Sequence, residues 1–463
     1  MGPTSLHPEH ERGAIPKIQR KISLFEAVVY GLGVIIGAGI YALIGEAAGI
    51  AGNSMWISFI IAAVVAAFTA MSYCELSSIL SKNAAEYHYV KHAFNSDLLA
   101  FLVGWVTLVV LLVSAAAVSI GFAGYFSLLF GSPALLSALG LIVFLGAVNF
   151  FGLRLSTEVN AVLTVVAVGG LVLVIAIGAP YLGSVDYFAS VAEVRTFGDF
   201  INPIAIAASL IFFSYLGFEN IAHISEETID AKKVVPKAIQ LSLTISAALY
   251  VLVAVSAVSI VGWQALSESE TPLALVAGTV FGQNASVLLS FIALFATSST
   301  VLVLLVSASR ILSGIASDHS LPAFLSRVHH KTKTPYIAVL LTTIGSMLFV
   351  SMGNFKDIVF VTDFGIFIIF FAVNWSVIAM RFTQPNARRA FRLSVNIGKF
   401  PVAAVFGAGF SLFMLSRVSA KAVMTGLPIF GIGLLIYLLV YLRRKKKVPR
   451  NKAAGKKWQF ARQ

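Results

Sequence analysis

The chain has 463 residues, of which 58% are hydrophobic and only 11% are charged, and its mean hydropathy is +0.91. This composition excludes an ordinary water-soluble domain and predicts an all-α integral membrane protein. The formal net charge of +13 is concentrated in the tail from Arg443 to Arg462, directly behind an apolar helix. That position indicates a topology signal and contact with anionic lipids rather than a nucleic-acid-binding arm.

Twelve apolar stretches are long enough to be transmembrane helices. Their approximate limits are 22–48, 54–80, 98–129, 133–151, 158–182, 200–225, 236–263, 283–316, 335–352, 355–381, 400–418 and 421–443. The sequence therefore predicts a short N-terminal segment (1–21), a single twelve-helix membrane domain (22–443) and a basic tail (444–463).

Positive charge is distributed unevenly between the two sides of this domain. Of the 33 Lys and Arg residues, the loops on one side hold only Arg195, Lys356, Arg417 and Lys421. The positive-inside rule makes the other side cytoplasmic, together with both termini, and an even number of spans requires the same. The short loops and termini favour a prokaryotic inner membrane, so we predict a multi-pass protein of the cell membrane.

The first span contains an unusual density of glycine. Residues 30–52 read YGLGVIIGAGIYALIGEAAGIAG and include seven glycines. Because glycine lowers helix stability by roughly 1 kcal/mol relative to alanine, the cluster Gly37-Ala38-Gly39 predicts a helix that breaks at mid-membrane and presents backbone groups to a ligand. The alternative is a small-residue packing face of the GxxxG type from Gly33 to Gly37.

The sixth span contains a second interruption, where Ser214 and Gly217 divide an aromatic run. Because the two interruptions are five spans apart, spans one to five (about 22–182) and six to ten (about 200–381) are predicted to be inverted repeats. Each repeat would open with a broken helix, and helices eleven and twelve (about 400–443) would follow. Ordinary aromatic packing is the alternative explanation for the aromatic residues of the sixth span.

Broken helices suit a zwitterionic ligand. The N-terminus of a half-helix presents free N–H groups to a carboxylate, and the last carbonyls of the preceding half-helix face an ammonium group or a cation. The predicted substrate contacts are Ile36, Gly37, Ala38, Gly39 and Ile40 in the first span and Phe213, Ser214 and Leu216 in the sixth.

Acidic residues narrow the class of substrate. The third span carries no charge, and Glu219 is the only charge in the sixth span before Glu226 and Glu227. A dication would require a carboxylate in the pocket, so the pattern favours a neutral amino acid. For Glu219 the alternatives are a proton-coupling group, a contact to a cationic side chain, a helix-end cap and a gate ion pair.

Other acidic residues are predicted to be structural. Glu75 and Glu158 are expected to pair with loop arginines such as Arg154 at helix ends. The acidic group Glu226, Glu227 and Asp230 lies close in sequence to Lys232 and Lys233 and is typical of an inner-gate charge cluster.

Five segments carry a resemblance to a known family. They are IGAGIYALIGEAAGIAG (36–52), MSYCELSS (71–78), AEYHYVKHAF (85–94), FFSYLGFENIAHISEE (212–227) and SRILSGIASDHSLP (309–322). In order and placement they resemble the amino acid permeases of the amino acid-polyamine-organocation (APC) superfamily. The resemblance implies a leucine-transporter type 5+5 inverted-repeat fold and secondary transport by alternating access. It also implies substrate held between broken spans one and six, with Phe213 as an aromatic lid.

The chain departs from the family pattern at three places. Asn83-Ala84-Ala85 replaces Pro-x-x-Gly-Gly after span two, and Asp318-His319 replaces Asp-Gly after span eight. Many proton-coupled or exchanging relatives carry a lysine in span five whose ammonium occupies a sodium-like site. Our alignment puts Ala167 at that position, so the lysine mechanism is not available here.

The eighth span offers hydroxyl groups for a cation. By resemblance to sodium-coupled members of the fold, Ser298 and Ser299 would face first-span carbonyls near Ile36 and Gly37 and bind Na⁺, with Thr297 as the alternative shifted by one residue. Hydrogen bonds back to carbonyls of the same helix are the structural alternative. The coupling ion is therefore Na⁺ or, alternatively, H⁺, and the sequence predicts no other cofactor.

Other classes of function have little support. The chain lacks Gly-x-Ser-x-Gly, His-Glu-x-x-His and Walker A sequences, so we predict no enzyme. His88 and His92 are spaced for a shared metal ion but lack the glutamate of a zinc-protease motif. The expected partners are a small-molecule amino acid and the lipid bilayer. The alternatives to a cation-coupled importer are an amino acid exchanger, a carrier of an amine or organic cation, and a non-transporting amino acid sensor.

Overall fold

The computed structural model describes residues 20–191, 196–269, 271–352, 355–417 and 420–447. The predicted N-terminal segment 1–21 lies outside this part of the chain except for Arg20 and Lys21, and so do Arg195 and the basic tail beyond residue 447. The predicted orientation, which depends on these segments, therefore stays a prediction.

The described chain is almost entirely helical. Its α-helices are α1 (Leu24–Ile35), α2 (Ala38–Ala51), α3 (Met55–Ile79), α4 (Ala85–Phe94), α5 (Asp97–Phe130), α6 (Ala134–Phe151), α7 (Leu153–Gly178), α8 (Phe197–Ile211), α9 (Ala231–Glu268), α10 (Pro272–Phe281), α11 (Gln283–Ser317), α12 (Tyr336–Met352), α13 (Phe355–Thr383), α14 (Val402–Arg417) and α15 (Ala420–Lys447). Short 3₁₀ helices cover Gly52–Ser54, Ala179–Tyr181, Phe212–Tyr215, Phe218–Glu227 and Ala323–Ser326. One antiparallel pair of strands, β1 (Asn396–Ile397) and β2 (Phe400–Pro401), precedes α14.

Nine helical stretches in the described ranges are long and apolar enough to cross a membrane. These helices confirm the predicted class, an all-helical membrane protein. The helical parts of the other three predicted spans are apolar but shorter, namely Tyr336–Ser351, Val402–Ser416 and Gly426–Leu442. The count of twelve spans therefore remains a prediction. Helix α10 was not predicted because its ten residues are too few for a membrane span.

Helix α11 lies at the centre of the bundle, and most of its side chains are buried. It packs against α5, α7, α6, α12 and α1, while α9 packs against α3, α1 and α2. Close packing depends on small residues, as at Gly146, where a Cβ would lie 2.6 Å from the Thr343 hydroxyl oxygen. This arrangement surrounds α1 and α2 with helices from both halves of the chain.

A buried charge cluster connects α3 to the end of α13 and the segment after it. The Glu75 carboxylate accepts hydrogen bonds from Arg381 Nη2 at 2.6 Å and Arg389 Nε at 3.0 Å. Glu75 therefore does not pair with Arg154, which instead binds Glu158 at 2.8 Å on the exposed surface of α7. Glu75 thus has one loop arginine as a partner, Arg389, and a second partner, Arg381, inside α13. Arg381 and Arg389 lie 306 and 314 positions further along the chain.

The two loop departures from the family pattern fall at left-handed backbone positions. Ala84 precedes α4 with φ 52°, and His319 follows α11 with φ 62°. The N–H of His319 donates to Ala316 O at 3.0 Å, and the N–H of Ser320 donates to Ile315 O at 3.1 Å. This pair of bonds is a Schellman helix end, where glycine is the usual residue. The loops thus adopt a glycine-type conformation although glycine is absent.

Replacing His319 by glycine should stabilise the protein. Glycine adopts positive φ without the clash that costs an L-residue about 1 kcal/mol, and the His319 side chain is exposed, so little packing is lost. We expect His319→Gly to raise the free energy of unfolding by about 1 kcal/mol, measured by thermal unfolding in detergent. His330→Gly is the matched control, because His330 is exposed and does not have positive φ. An equal gain in both variants would contradict the assigned strain.

Candidate functional site

The first span is broken where its glycines cluster. Helix α1 ends at Ile35 and α2 begins at Ala38, with Gly37 between them at φ −135° and ψ −143°. The N-cap residue of α2 is Gly37, which makes no side-chain capping bond, so in the described chain the first N–H groups of α2 are not taken up by a capping residue. The break therefore leaves a positive helix end in the interior of the protein.

The sixth span is broken as well. Helix α8 ends at Ile211, a 3₁₀ helix continues to Tyr215, and the next begins at Phe218. Gly217 lies between the two 3₁₀ helices with φ 127°, a value that side-chain-bearing residues rarely adopt. The Glu219 carboxylate accepts a hydrogen bond from the Gly217 N–H at 2.9 Å. Of the four alternatives for Glu219, the helix-end cap is thus present in the structure.

Tyr250 on α9 joins the two breaks. Its hydroxyl donates to Ile35 O at 2.6 Å and to Ser214 O at 3.2 Å, and its side chain is fully buried. The first and sixth spans also touch directly, because a Cβ at Gly39 would lie 2.6 Å from Ser214 Cα. Sequence reasoning did not find Tyr250, since the surrounding run SAALYVLVAV contains no signal beyond hydrophobicity.

A cavity of about 50 Å³ lies between the breaks. Five predicted substrate residues line it, namely Gly37, Gly39, Phe213, Ser214 and Leu216. The Ser214 hydroxyl is buried and has no hydrogen-bond partner in the described chain. The fully buried Ile36 and Ile40 are not in the described lining, and of Ala38 only the backbone is described.

Glu219, which was predicted as a gate or coupling residue, and further residues that were not predicted complete the cavity. The polar ones are Glu219, Asn220, Ser114, Thr300 and Thr362, and the apolar ones include Val110, Leu111, Val118, Leu304 and Ile366. Most of the second group lie on α5, α11 and α13, in uniformly apolar stretches where no local pattern separates pocket residues from packing residues. These residues line the cavity only because their helices pack against the two breaks.

The hydroxyls of α11 have different partners. Thr297 donates to Ala293 O and Ser298 to Leu294 O, both within α11, at 2.8 and 2.7 Å. Ser299 donates to Asn160 Oδ1 on α7 at 2.8 Å. The hydroxyl that contacts carbonyls of α1 belongs to Thr300, at 3.2 Å from Gly33 O and 3.3 Å from Val34 O. Sodium binding by Ser298 and Ser299 therefore stays a prediction, with Thr300 as a further candidate ligand.

A polar junction forms where α1, α7 and α11 meet. Gly33 faces Asn160 and Thr164 of α7 and Ser299 of α11 so closely that a Cβ at Gly33 would overlap their side chains. The buried Asn160 Nδ2 has no hydrogen-bond partner in the described chain. Ala167, the residue expected at the family's lysine position, is fully buried, and its carbonyl accepts a hydrogen bond from the Tyr41 hydroxyl. Asn160 and Thr164 thus supply the polar side chains of α7 at this junction.

The predicted histidine pair of α4 has other contacts. His92 Nε2 lies 3.0 Å from Gln384 Oε1. Burial and the nearby Lys82 ammonium lower the pKa of His88 to about 4. On the same helix, burial and a hydrogen bond to Asp318 raise the pKa of Tyr87 to about 12. No group of three or more His, Cys, Asp and Glu side chains suited to a metal ion occurs in the described ranges.

The close contact between the two breaks can be tested at Gly39. Gly39→Ala forces α2 away from Ser214, and overpacking of this kind lowers the free energy of unfolding by about 1–3 kcal/mol. Thermal unfolding should show a lower midpoint. Gly169→Ala in α7 is the control, because a Cβ there meets no atom within 4 Å. An unchanged midpoint for Gly39→Ala would argue against the contact.

Comparison with known proteins identifies the family. A family model described as "Amino acid permease" matches residues 22–444. The branched-chain amino acid permease BcaP of Bacillus subtilis is 28% identical over 457 residues, covering 93% of this chain and 95% of that protein. The methylthioribose transporter of Bacillus subtilis is 26% identical over 445 residues, covering 91% and 93%. The vacuolar cationic amino acid transporter 4 of Arabidopsis thaliana is 28% identical over 392 residues, covering 80% and 64%. The chain therefore belongs to the amino acid permease family of the APC superfamily and is a membrane transporter of amino acids.

Proposed function

We propose that this transporter imports a neutral amino acid with a small or aliphatic side chain by alternating access, driven by a cation gradient. The observation that carries the proposal is the cavity between the two helix breaks. One end of that cavity offers uncapped helix N–H groups, and much of its wall is apolar. A zwitterionic head group and an uncharged side chain fit these two environments.

The head group is assigned to the breaks. The carboxylate binds the backbone N–H groups at the start of α2, where the helix end is positive. The Ser214 hydroxyl lines the cavity and has no hydrogen-bond partner in the described chain, so we assign it as a donor to the same carboxylate. The ammonium group binds carbonyls at the ends of the preceding helical segments. Phe213 acts as the lid over bound substrate, and its partial burial at the cavity supports this role.

The apolar wall is assigned to the substrate side chain. Val110, Leu111 and Val118 of α5 face the cavity together with Ile366 of α13. These four side chains are all aliphatic, so the wall favours an uncharged, apolar group. Similarity to a relative whose name specifies branched-chain amino acids supports the same class. Glu219 is the one acidic side chain in the described lining, so a cationic amino acid is the alternative that a substrate panel must include.

The topology belongs to the same proposal. We assign twelve spans in a 5+5 inverted repeat within the cell membrane, with both termini cytoplasmic. The occurrence of breaks in the first and sixth spans supports the repeat. The uneven distribution of Lys and Arg supports the orientation.

Uptake into proteoliposomes tests the substrate class. We expect labelled L-alanine or L-valine to accumulate under an imposed cation gradient, with L-lysine and L-glutamate transported at least about tenfold more slowly, because an unpaired charge is costly in an apolar pocket. Ile366→Ala should shift the preference towards larger aliphatic side chains, because the shorter side chain enlarges the cavity. Exchange without net accumulation would make the protein an exchanger, and binding without any transport would make it a sensor.

Cation replacement tests the coupling ion. Sodium binding at the junction of α1 and α11 predicts that uptake falls at least about tenfold when Na⁺ is replaced by choline, since hard oxygen ligands do not hold that ion. Thr300→Val removes the α11 hydroxyl that contacts carbonyls of α1, and Ser298→Ala removes the ligand that the sequence favours. Loss of Na⁺ dependence in one variant alone identifies the ligand, and Ser290→Ala, whose hydroxyl bonds to Ser286 O of the same helix, is the control. Uptake that is independent of Na⁺ in the unsubstituted protein rules the site out and leaves H⁺.

A further inference from the structure

We propose that Glu219, His223 and Glu86 form a buried proton-binding site that connects the substrate cavity to α4. The inference rests on the proposed transport function and selects its proton-driven form. It assigns a role to two residues, His223 and Glu86, that neither the helix breaks nor the hydroxyls of α11 require.

The core of this site is a histidine–carboxylate pair. His223 Nε2 lies 2.8 Å from Glu86 Oε2 and 3.0 Å from Oε1, and both side chains are completely buried. The Tyr73 hydroxyl donates to Glu86 Oε1 at 2.9 Å. The three residues come from different elements, because Tyr73 lies on α3, Glu86 on α4 and His223 on the 3₁₀ segment Phe218–Glu227.

Glu219 extends the pair to the substrate cavity. It lies on the same 3₁₀ segment as His223, within electrostatic range of both His223 and Glu86. Its carboxylate binds two neutral donors, the Gly217 N–H and the Asn220 amide, and it lines the cavity between the breaks. His223 Nδ1 is buried and has no hydrogen-bond partner in the described chain, so this ring nitrogen is available to exchange a proton.

Charge balance shows that the cluster lacks one positive charge. In the described part of the chain, neither Glu86 nor Glu219 has a Lys or Arg partner. An imidazolium at His223 would neutralise one carboxylate and leave the other. A buried carboxylate without a partner is strongly unfavourable, so the cluster favours binding one further proton.

The neighbouring elements in the described ranges supply no substitute cation. On α3 and α4 the nearest titratable groups are Tyr73, Cys74 and Tyr89, which are uncharged when protonated. On α11, Arg310 binds Glu227 at 2.8 Å. On α1, the Tyr30 hydroxyl bonds to Ser307. The three lysines of α9 nearest this segment, Lys232, Lys233 and Lys237, are exposed.

A transport cycle follows in which protons balance. One proton from the outer solution binds Glu219 together with the substrate, which makes the cluster neutral. After the protein opens inward, His223 releases one proton towards the α4 side and regains one from Glu219. Glu86 keeps its charge throughout and holds His223 in place. Each cycle thus binds one proton outside, releases one inside and restores the starting protonation of all three residues.

The test is the number of protons moved per amino acid. Purified protein in liposomes is given labelled L-alanine or L-valine while a pH-sensitive dye records proton entry. We expect about one proton per amino acid for the unsubstituted protein and a ratio near zero for His223→Asn, because the imidazole that passes on the proton is gone. His92→Asn is the matched control on α4. His92 is exposed and bonded to Gln384, so the ratio should stay at about one.

Two further variants keep the test decisive if His223→Asn does not fold. Glu86→Gln preserves shape and a hydrogen bond to Tyr73, and Glu219→Gln removes the group at the cavity. Each should lower the ratio and change the dependence of uptake on external pH, which a purely structural role would not do. A ratio near one in every variant that folds overturns the inference, and so does Na⁺-driven uptake without proton movement. If the unsubstituted protein neither transports nor exchanges any amino acid, the proposed function itself fails.

Discussion

The Tyr250 hydroxyl holds the two helix breaks together, and the geometry of the candidate site depends on this contact. A backbone carbonyl or N–H group inside a membrane domain must find a partner within the protein, and a broken helix gives up several such partners at once. Tyr250 binds Ile35 O and Ser214 O, one carbonyl from each break, and Thr300 binds Gly33 O and Val34 O. These bonds allow both breaks to persist while the N-terminus of α2 stays uncapped.

Close packing around the breaks depends on the glycines of the first span. Gly33 and Gly39 allow α1 and α2 to approach polar and backbone atoms at distances that no side chain would permit. The same glycines weaken the first span as a helix, because they lower helix propensity. A glycine pattern in a membrane segment can therefore indicate packing and breaking together, and here both alternatives that the sequence left open are present in the structure.

The buried charges fall into two groups. Glu75 is surrounded by Arg381 and Arg389, and Glu227 is paired with Arg310, so these clusters are balanced and connect distant segments. Glu86 binds His223, and Glu219 lies within electrostatic range of the same histidine without an arginine or lysine partner in the described chain. Since balanced pairs resist any change of protonation and an unbalanced group invites one, the second group is the place to expect coupling between substrate and proton.

The sequence by itself determined the membrane class, the position of most helices and the location of both breaks, because long apolar runs and clustered glycines act locally. It also placed Gly37, Gly39, Phe213 and Ser214 at one site. The tertiary structure alone decided that Tyr250 joins the breaks, that Thr300 supplies the α11 hydroxyl facing α1, and that Glu86 meets His223. Those contacts link residues 36 to 267 positions apart in the chain, and helix packing, which no local pattern encodes, brings them together.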